Sequence, residues 1–291
     1  MLSDTVGNSY KTEPHPEDRV YAGVFGCIMV IGLPLNAASL WILLRRHSLQ
    51  SPNAVLMVSL AVSDLLVIIS LPMRIYFHAT RRWPLSNMAC LIITMLFRNN
   101  LWSSAFFITF ISVDRLLAVV YPLRSRHLRT SSNAWKGAAV VWLFVLIMNV
   151  PGFMDLKHFK NRNNTTCFGP LDSMSATQSA VIYFQMALIV TMLAVNIICT
   201  VMVSWTLCNR PSDTAKINNK VNVMLIFAMN LVLFTICFLP VQIGLATKSF
   251  AHLTPLVCLA AVNCCLDPLL YYFSFDSFWK KKEDAIKEGE M

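Results

Sequence analysis

A chain of 291 residues in which 56% are hydrophobic and 13% charged departs from an average soluble domain, roughly 45–50% apolar and about 25% charged. That composition, with a mean hydropathy of +0.57, excludes a soluble globular domain, a disordered chain and a small disulfide scaffold, and indicates a polytopic membrane protein. The net charge of +9 points to membrane lipids at an anionic cytoplasmic surface rather than to nucleic acid.

Residues 1–19 are polar and lack the basic and then apolar run of a cleavable signal, so they read as a short extracellular tail. Apolar runs follow at 20–45, 54–79, 88–121, 134–154, 177–207, 220–247 and 252–274, each long enough to cross a bilayer. The fold expected is an all-α membrane protein: a seven-helix bundle over 20–274, then an amphipathic helix and cytoplasmic tail over 275–291. Arg45, Arg46, Arg124, Arg126, Arg129, Arg210, Lys216 and Lys220 lie in loops on the side of the C-terminus, where Lys280, Lys281 and Lys282 add to them. This bias places the C-terminus in the cytoplasm. Asn163 and Asn164 begin two overlapping glycosylation sequons in the fourth-to-fifth loop, on the outer side of this topology.

Seven of the nine cysteines lie in or at the ends of apolar segments and read as small core residues. Cys90, at the start of the third helix, and Cys167, in the outer loop, lie where disulfides persist and are expected to bond, the alternative being two unpaired thiols. No metal-ligand spacing of Cys or His is present.

Polar residues inside spans are costly and are functional candidates. Asn36 in the first helix, Asp64 in the second, Ser104 in the third and Asn263 and Asp267 in the seventh could form a polar cluster. Hard oxygen ligands of this kind could hold a small cation such as sodium, or the residues could form a purely structural hydrogen-bond network.

Several elements resemble the rhodopsin-like G protein-coupled receptors. Ser112-Val113-Asp114-Arg115-Leu116 is similar to that family's Asp/Glu-Arg-Tyr switch, with Leu116 for Tyr; Trp142 marks the fourth helix. Phe234-Thr235-Ile236-Cys237-Phe238-Leu239-Pro240 resembles its F-x-x-C-W-x-P, and Asp267-Pro268-Leu269-Leu270-Tyr271 its N/D-P-x-x-Y. The spacing from Cys90 to Arg115 also fits, and the resemblance runs from about residue 20 to 280. It implies a plasma-membrane receptor, not an enzyme, that activates heterotrimeric G proteins. Asp114 would hold Arg115 until the sixth helix moves outward, with Phe238 as a packing toggle and Pro240 as a hinge. Phe275, Phe278 and Trp279 would face lipid on a short amphipathic helix after Tyr271.

Phe97 stands where amine receptors carry Asp, and Ala261 where opsins carry the retinal Lys, which argues against those ligands. Arg74 and Arg98 instead lie in the outer halves of their helices, with Arg81, Arg82, Lys157, Lys160, Arg162 and Lys248 as a basic rim. Converging Arg and Lys suit phosphate or carboxylate, although they could equally snorkel or pair with Asp155 and Asp172. The stretches around Arg74, Arg115 and Asp267 look most like the purinergic and lysophospholipid branch, nearest its lysophosphatidic acid receptors. That implies a small anionic ligand, a lysophosphatidic acid-like lipid being preferred over a nucleotide or acidic metabolite.

The fifth helix departs from the family: Met192 stands in place of Pro and Thr200 near the place of Tyr, and the third outer loop around Lys248 to Thr254 is minimal. These departures support a competing reading, a non-signalling scavenger or heterodimer partner. A transporter would show internal repeats, and an enzyme a nucleophile–base set or phosphate loop; neither is seen.

Overall fold

The computed structural model describes residues 16–46, 49, 51–150, 167–168, 176–209, 214–247 and 253–289. Among the described residues the helices follow in chain order as α1 (Pro16–Arg46), α2 (Pro52–Thr80), α3 (Asn87–Val120), α4 (Ser131–Ile147), α5 (Ala176–Cys208), α6 and α7 (Leu253–Gly289). The sixth is continuous but compound: Thr214–Val232 leads into a π-helical stretch, Leu233–Phe238, and then into Leu239–Ala246 with Pro240 in its first turn. All but α4 are long and apolar enough to cross a membrane.

Helix starts are set by local side chains. Ser51, Ser86 and Thr130 cap α2, α3 and α4, their hydroxyls accepting from Ala54 N at 3.1 Å, Ala89 N at 3.3 Å and Asn133 N at 3.3 Å. Each satisfies one otherwise orphaned amide of a first turn. Arg81 ends α2 in the left-handed region, φ 53°, its amide donating to Phe77 O at 2.7 Å.

α2 lies deepest, with 78% of its apolar window buried against 22% for α1, so functional side chains on α2 are enclosed by protein rather than lipid. It packs on α1, α3 and α4. Phe107, Ile108 and Ile111 of α3, Leu60, Ile68 and Leu71 of α2, and Phe234 and Phe238 of α6 form one continuous core. Trp41, Val140, Val201 and Trp205 remain exposed on outward faces, as a lipid-facing surface requires. A Cβ on Gly32 would come within 3.1 Å of Ile68 Cδ1 and 3.4 Å of Cys265 Sγ. Glycine therefore lets α1 approach α2 and α7 closely enough to share polar side chains.

Two boundaries differ from expectation. The fourth apolar run was expected over 134–154; α4 ends at Ile147, Met148 and Asn149 form a turn, Val150 is again helical, and residues 151–154 lie outside the described residues. A separate amphipathic helix was expected from residue 275, whereas α7 continues without a break to Gly289. Residues 272–288 contain neither Pro nor Gly, so nothing interrupts the backbone ladder. Side chains beyond Tyr271, including Phe275, Phe278 and Trp279, lie outside the described residues.

Candidate functional site

Near the end of the bundle that carries the disulfide, Arg74 is a cation sealed inside protein. It lies on the enclosed face of α2 and is 5% exposed. Its guanidinium carbon sits over the ring of Phe97 at 4.6 Å and over that of Phe168 at 4.4 Å. Phe97 comes from α3. Phe168 follows Cys167, which a disulfide ties to Cys90 in the first turn of α3, the Cα atoms 5.7 Å apart. Phe168 also packs edge-on against Phe77 at 5.2 Å and Trp83 at 5.7 Å. Among the described residues no carboxylate pairs with Arg74, and its Nε has no hydrogen-bond partner. A buried charge without a counterion is costly. Aromatic faces offset part of that cost, and the guanidinium edge remains a donor set suited to an oxyanion.

Of the residues grouped with Arg74 from sequence, Phe97 meets it directly. Arg98 is half-buried on α3 and makes no ion pair among the described residues. Arg82 is exposed just past α2. Lys248, Lys157, Lys160, Arg162, Asn163 and Asn164 lie outside the described residues. Arg81 does not belong to an open basic rim: its Nε donates to Asp18 Oδ2 at 2.6 Å. His78 Nδ1 lies 3.6 Å from the other Asp18 oxygen, and its ring stacks on Phe25. This cluster fastens α1 to the end of α2.

Deeper, polar residues of α2 and α3 meet at Asn100, and Asp64 links them to α7. Asn100 Nδ2 donates to Asp64 Oδ1 at 2.9 Å and lies 3.2 Å from Ser63 Oγ and 3.3 Å from Ser104 Oγ. Asn36 Nδ2 donates to Cys264 O at 2.6 Å and Gly32 O at 3.0 Å, and Asn263 Nδ2 to Asp267 Oδ2 at 2.8 Å. Asp64 and Asp267 face each other, both fully buried. Asp64 Oδ2, Asp267 Oδ1, Asn36 Oδ1, Asn263 Oδ1 and the Tyr271 hydroxyl have no hydrogen-bond partner among the described residues. Orphaned buried oxygens call for a proton or a cation. Two carboxylates with amide and hydroxyl oxygens form a hard donor set that fits a small cation such as sodium. Pro268 lies inside α7 beside this cluster.

At the far end of α3, the expected pairing of Asp114 with Arg115 is not what the structure has. Asp114 instead binds Arg129, whose Nε donates to Oδ1 at 2.8 Å and whose second guanidinium nitrogen donates to Oδ2 at 3.1 Å. Neighbours on a helix point about 100° apart and do not face each other. Arg129 is delivered by the α3–α4 turn, in which Ser125 Oγ donates to Leu117 O at 3.1 Å and Arg129 N to Ser125 O at 2.9 Å. Arg115 Nε is buried without a hydrogen-bond partner among the described residues. Phe238, fully buried at the end of the π-helical stretch, meets Phe234 edge-on at 5.2 Å.

A second clasp joins α3, α5 and α6. Ser112 Oγ donates to Asn196 Oδ1 at 2.6 Å and accepts from Asn230 Nδ2 at 2.7 Å, while Asn196 Nδ2 donates to Thr109 Oγ1 at 3.0 Å. Asn196 Nδ2 also reaches Met192 O at 2.9 Å. With Met in place of Pro, α5 keeps its helix unbroken from Ala176 to Cys208.

Residues 35–271 match the family model described as 7 transmembrane receptor (rhodopsin family). The chain belongs to that family. It is similar to lysophosphatidic acid receptor 6 of Mus musculus, 33% identical over 280 residues that cover 89% of this chain and 81% of the relative. Lysophosphatidic acid receptor 4 of Homo sapiens is 32% identical over 296 residues, covering 95% of this chain and 80% of the relative. Lysophosphatidic acid receptor 5 of Bos taurus is 33% identical over 305 residues, covering 96% and 83%. The protein is thus a rhodopsin-family receptor of the lysophosphatidic acid receptor-like branch, and the family is one of multi-pass membrane receptors rather than enzymes.

Asn100, Asn196 and Asn230 were not among the residues singled out from sequence, and Arg129 was read there only as a loop charge. Spacing carries a signal for the first, since Asn100 stands one helical turn before Ser104 and shares its face. Asn230 and Arg129 have no such local signal, because their partners lie 118 and 15 residues away.

Proposed function

We propose that this receptor lies in the plasma membrane with its N-terminus outside, senses a small anionic lipid of the lysophosphatidic acid type, and activates heterotrimeric G proteins. The carrying observation is Arg74, a buried guanidinium with no acid partner among the described residues. An anionic headgroup supplies the missing counterion, and apolar walls accept an acyl chain. Relatives bearing the name lysophosphatidic acid receptor support the same ligand class. Arg98 and Lys248 would add charge around the headgroup. In the resting state a sodium ion between Asp64 and Asp267, with Asn36, Ser104 and Asn263 nearby, would satisfy the orphaned oxygens. Asn163 and Asn164 would carry glycans.

Ligand binding is read at the opposite end. An outward shift of α6 uncovers Arg115 for the G protein, and Asp267, Pro268 and Tyr271 adjust α7 in step. The test is G protein dissociation in cells expressing the chain, across G protein classes, against lysophospholipids, nucleotides and small carboxylic acids. A lysophosphatidic acid response that disappears in Arg115→Ala is expected. Silence with full surface expression would overturn it in favour of the non-signalling reading, which Met192 and Thr200 on α5 favour.

A further inference from the structure

Arg74 is not simply buried; a residue that the disulfide delivers packs against it. Resting on the anionic-ligand reading above, we propose that Phe168 is a positioning residue which fixes the Arg74 guanidinium for a two-oxygen grip on a phosphate-type headgroup. Arginine brings several rotatable bonds, and among the described residues no carboxylate fixes the orientation of Arg74. Two rings from different elements do so here: Phe97 at 4.6 Å, fixed on α3, and Phe168 at 4.4 Å. Phe168 is itself placed twice, by the neighbouring Cys90–Cys167 bond and by edge contacts to Phe77 and Trp83. Neither ring offers an oxygen to the guanidinium's N–H donors, and Nε has no hydrogen-bond partner among the described residues. With Nε open and the guanidinium held against two rings, bidentate contact with an oxyanion is favoured over contact with a diffuse or neutral group.

The role has a signature that simple packing lacks, because it acts only through the arginine. Four full-length receptors, wild type, Phe168→Leu, Arg74→Lys and the double variant, are compared for G protein activation by oleoyl lysophosphatidic acid, with monooleoylglycerol as the phosphate-free probe. Phe168→Leu keeps apolar volume without a ring face. It is expected to weaken the phosphate probe at least tenfold, to leave any monooleoylglycerol response within twofold, and to have no further effect on Arg74→Lys. Phe168→Tyr, which retains the ring, is expected to restore potency to within threefold. Equal losses for Phe168→Leu on the arginine and lysine backgrounds would overturn the proposal.

A ligand-free arm separates this inference from the functional reading on which it rests. Melting temperatures of the same four purified receptors in detergent form a double-mutant cycle. Non-additive shifts support the Arg74–Phe168 coupling even if lysophosphatidic acid proves inactive on the wild type, which would fail the ligand reading alone. Additive shifts overturn the positioning role even if the lipid activates the receptor.

Discussion

Asp114 gives both its carboxylate oxygens to Arg129, fifteen residues further on, and leaves its immediate neighbour Arg115 without a hydrogen bond at Nε. The acid of the third-helix motif is thus occupied by the following turn, so the resting restraint on the end of α3 is shared between a helix and a loop.

Removing Arg129 should hand Asp114 to Arg115 and make that arginine less available to a G protein. Arg129→Gln is expected to lower basal G protein activation, and Asp114→Asn in addition is expected to restore it. A charge-assisted pair contributes about 1–2 kcal/mol, so the shift should be roughly five- to thirtyfold. Energy-transfer assays of G protein dissociation at matched surface expression measure it.

Arg74→Ala should remove the headgroup counterion. The expected loss of lysophosphatidic acid potency is about 1.5–3 kcal/mol, on the order of ten- to a hundredfold. Concentration–response curves check this, and Arg82→Ala, an exposed position, should leave the curve within twofold.

Sodium should stabilise the purified receptor through the oxygens that are otherwise orphaned between α2 and α7. Replacing choline chloride by sodium chloride is expected to raise Tm in the wild type, by the linkage of a ligand that binds the folded state. Asp64→Asn and Asp267→Asn should each abolish that difference. A sodium shift that persists in both would place the ion elsewhere.

Breaking the α3–α6 clasp should loosen the sixth helix. Asn230→Leu removes the donor to Ser112 and is expected to raise basal signalling by about fivefold, corresponding to a hydrogen bond of about 1 kcal/mol. Ser112→Ala should act in the same direction, since it deletes the shared hydroxyl.

Asp18→Ala should lower Tm by removing the carboxylate that binds Arg81 and faces His78, at a cost of about 1–3 kcal/mol. Arg81→Ala should produce a similar shift, and the double variant little more than either alone.

How much of this could be read from sequence follows from what lipid demands of a chain. A membrane span must be continuous and apolar, so hydropathy alone locates the seven helices, and the few polar residues inside them, such as Asp64 and Asp267, stand out. Arg74 stands out for the same reason. Its partner rings do not, because Phe97 and Phe168 look like ordinary apolar residues until the disulfide and the α2–α3 packing bring them to one guanidinium. Arg129 was legible only as loop charge; which acid it meets depends on the turn through Ser125. The interhelical amides Asn196 and Asn230 stand in apolar runs, but which helices they join is set by the packing of α3, α5 and α6, which sequence does not show.

The π-helical stretch Leu233–Phe238 gives α6 a property that a uniform helix lacks. A π turn accommodates one more residue than an α turn, and one residue corresponds to about 100° of rotation about the axis. Reversion of that stretch to α geometry would swivel the segment bearing Asn230 relative to the segment bearing Pro240 without lengthening or breaking the chain. The sixth helix is in this sense a shaft with a built-in slip joint.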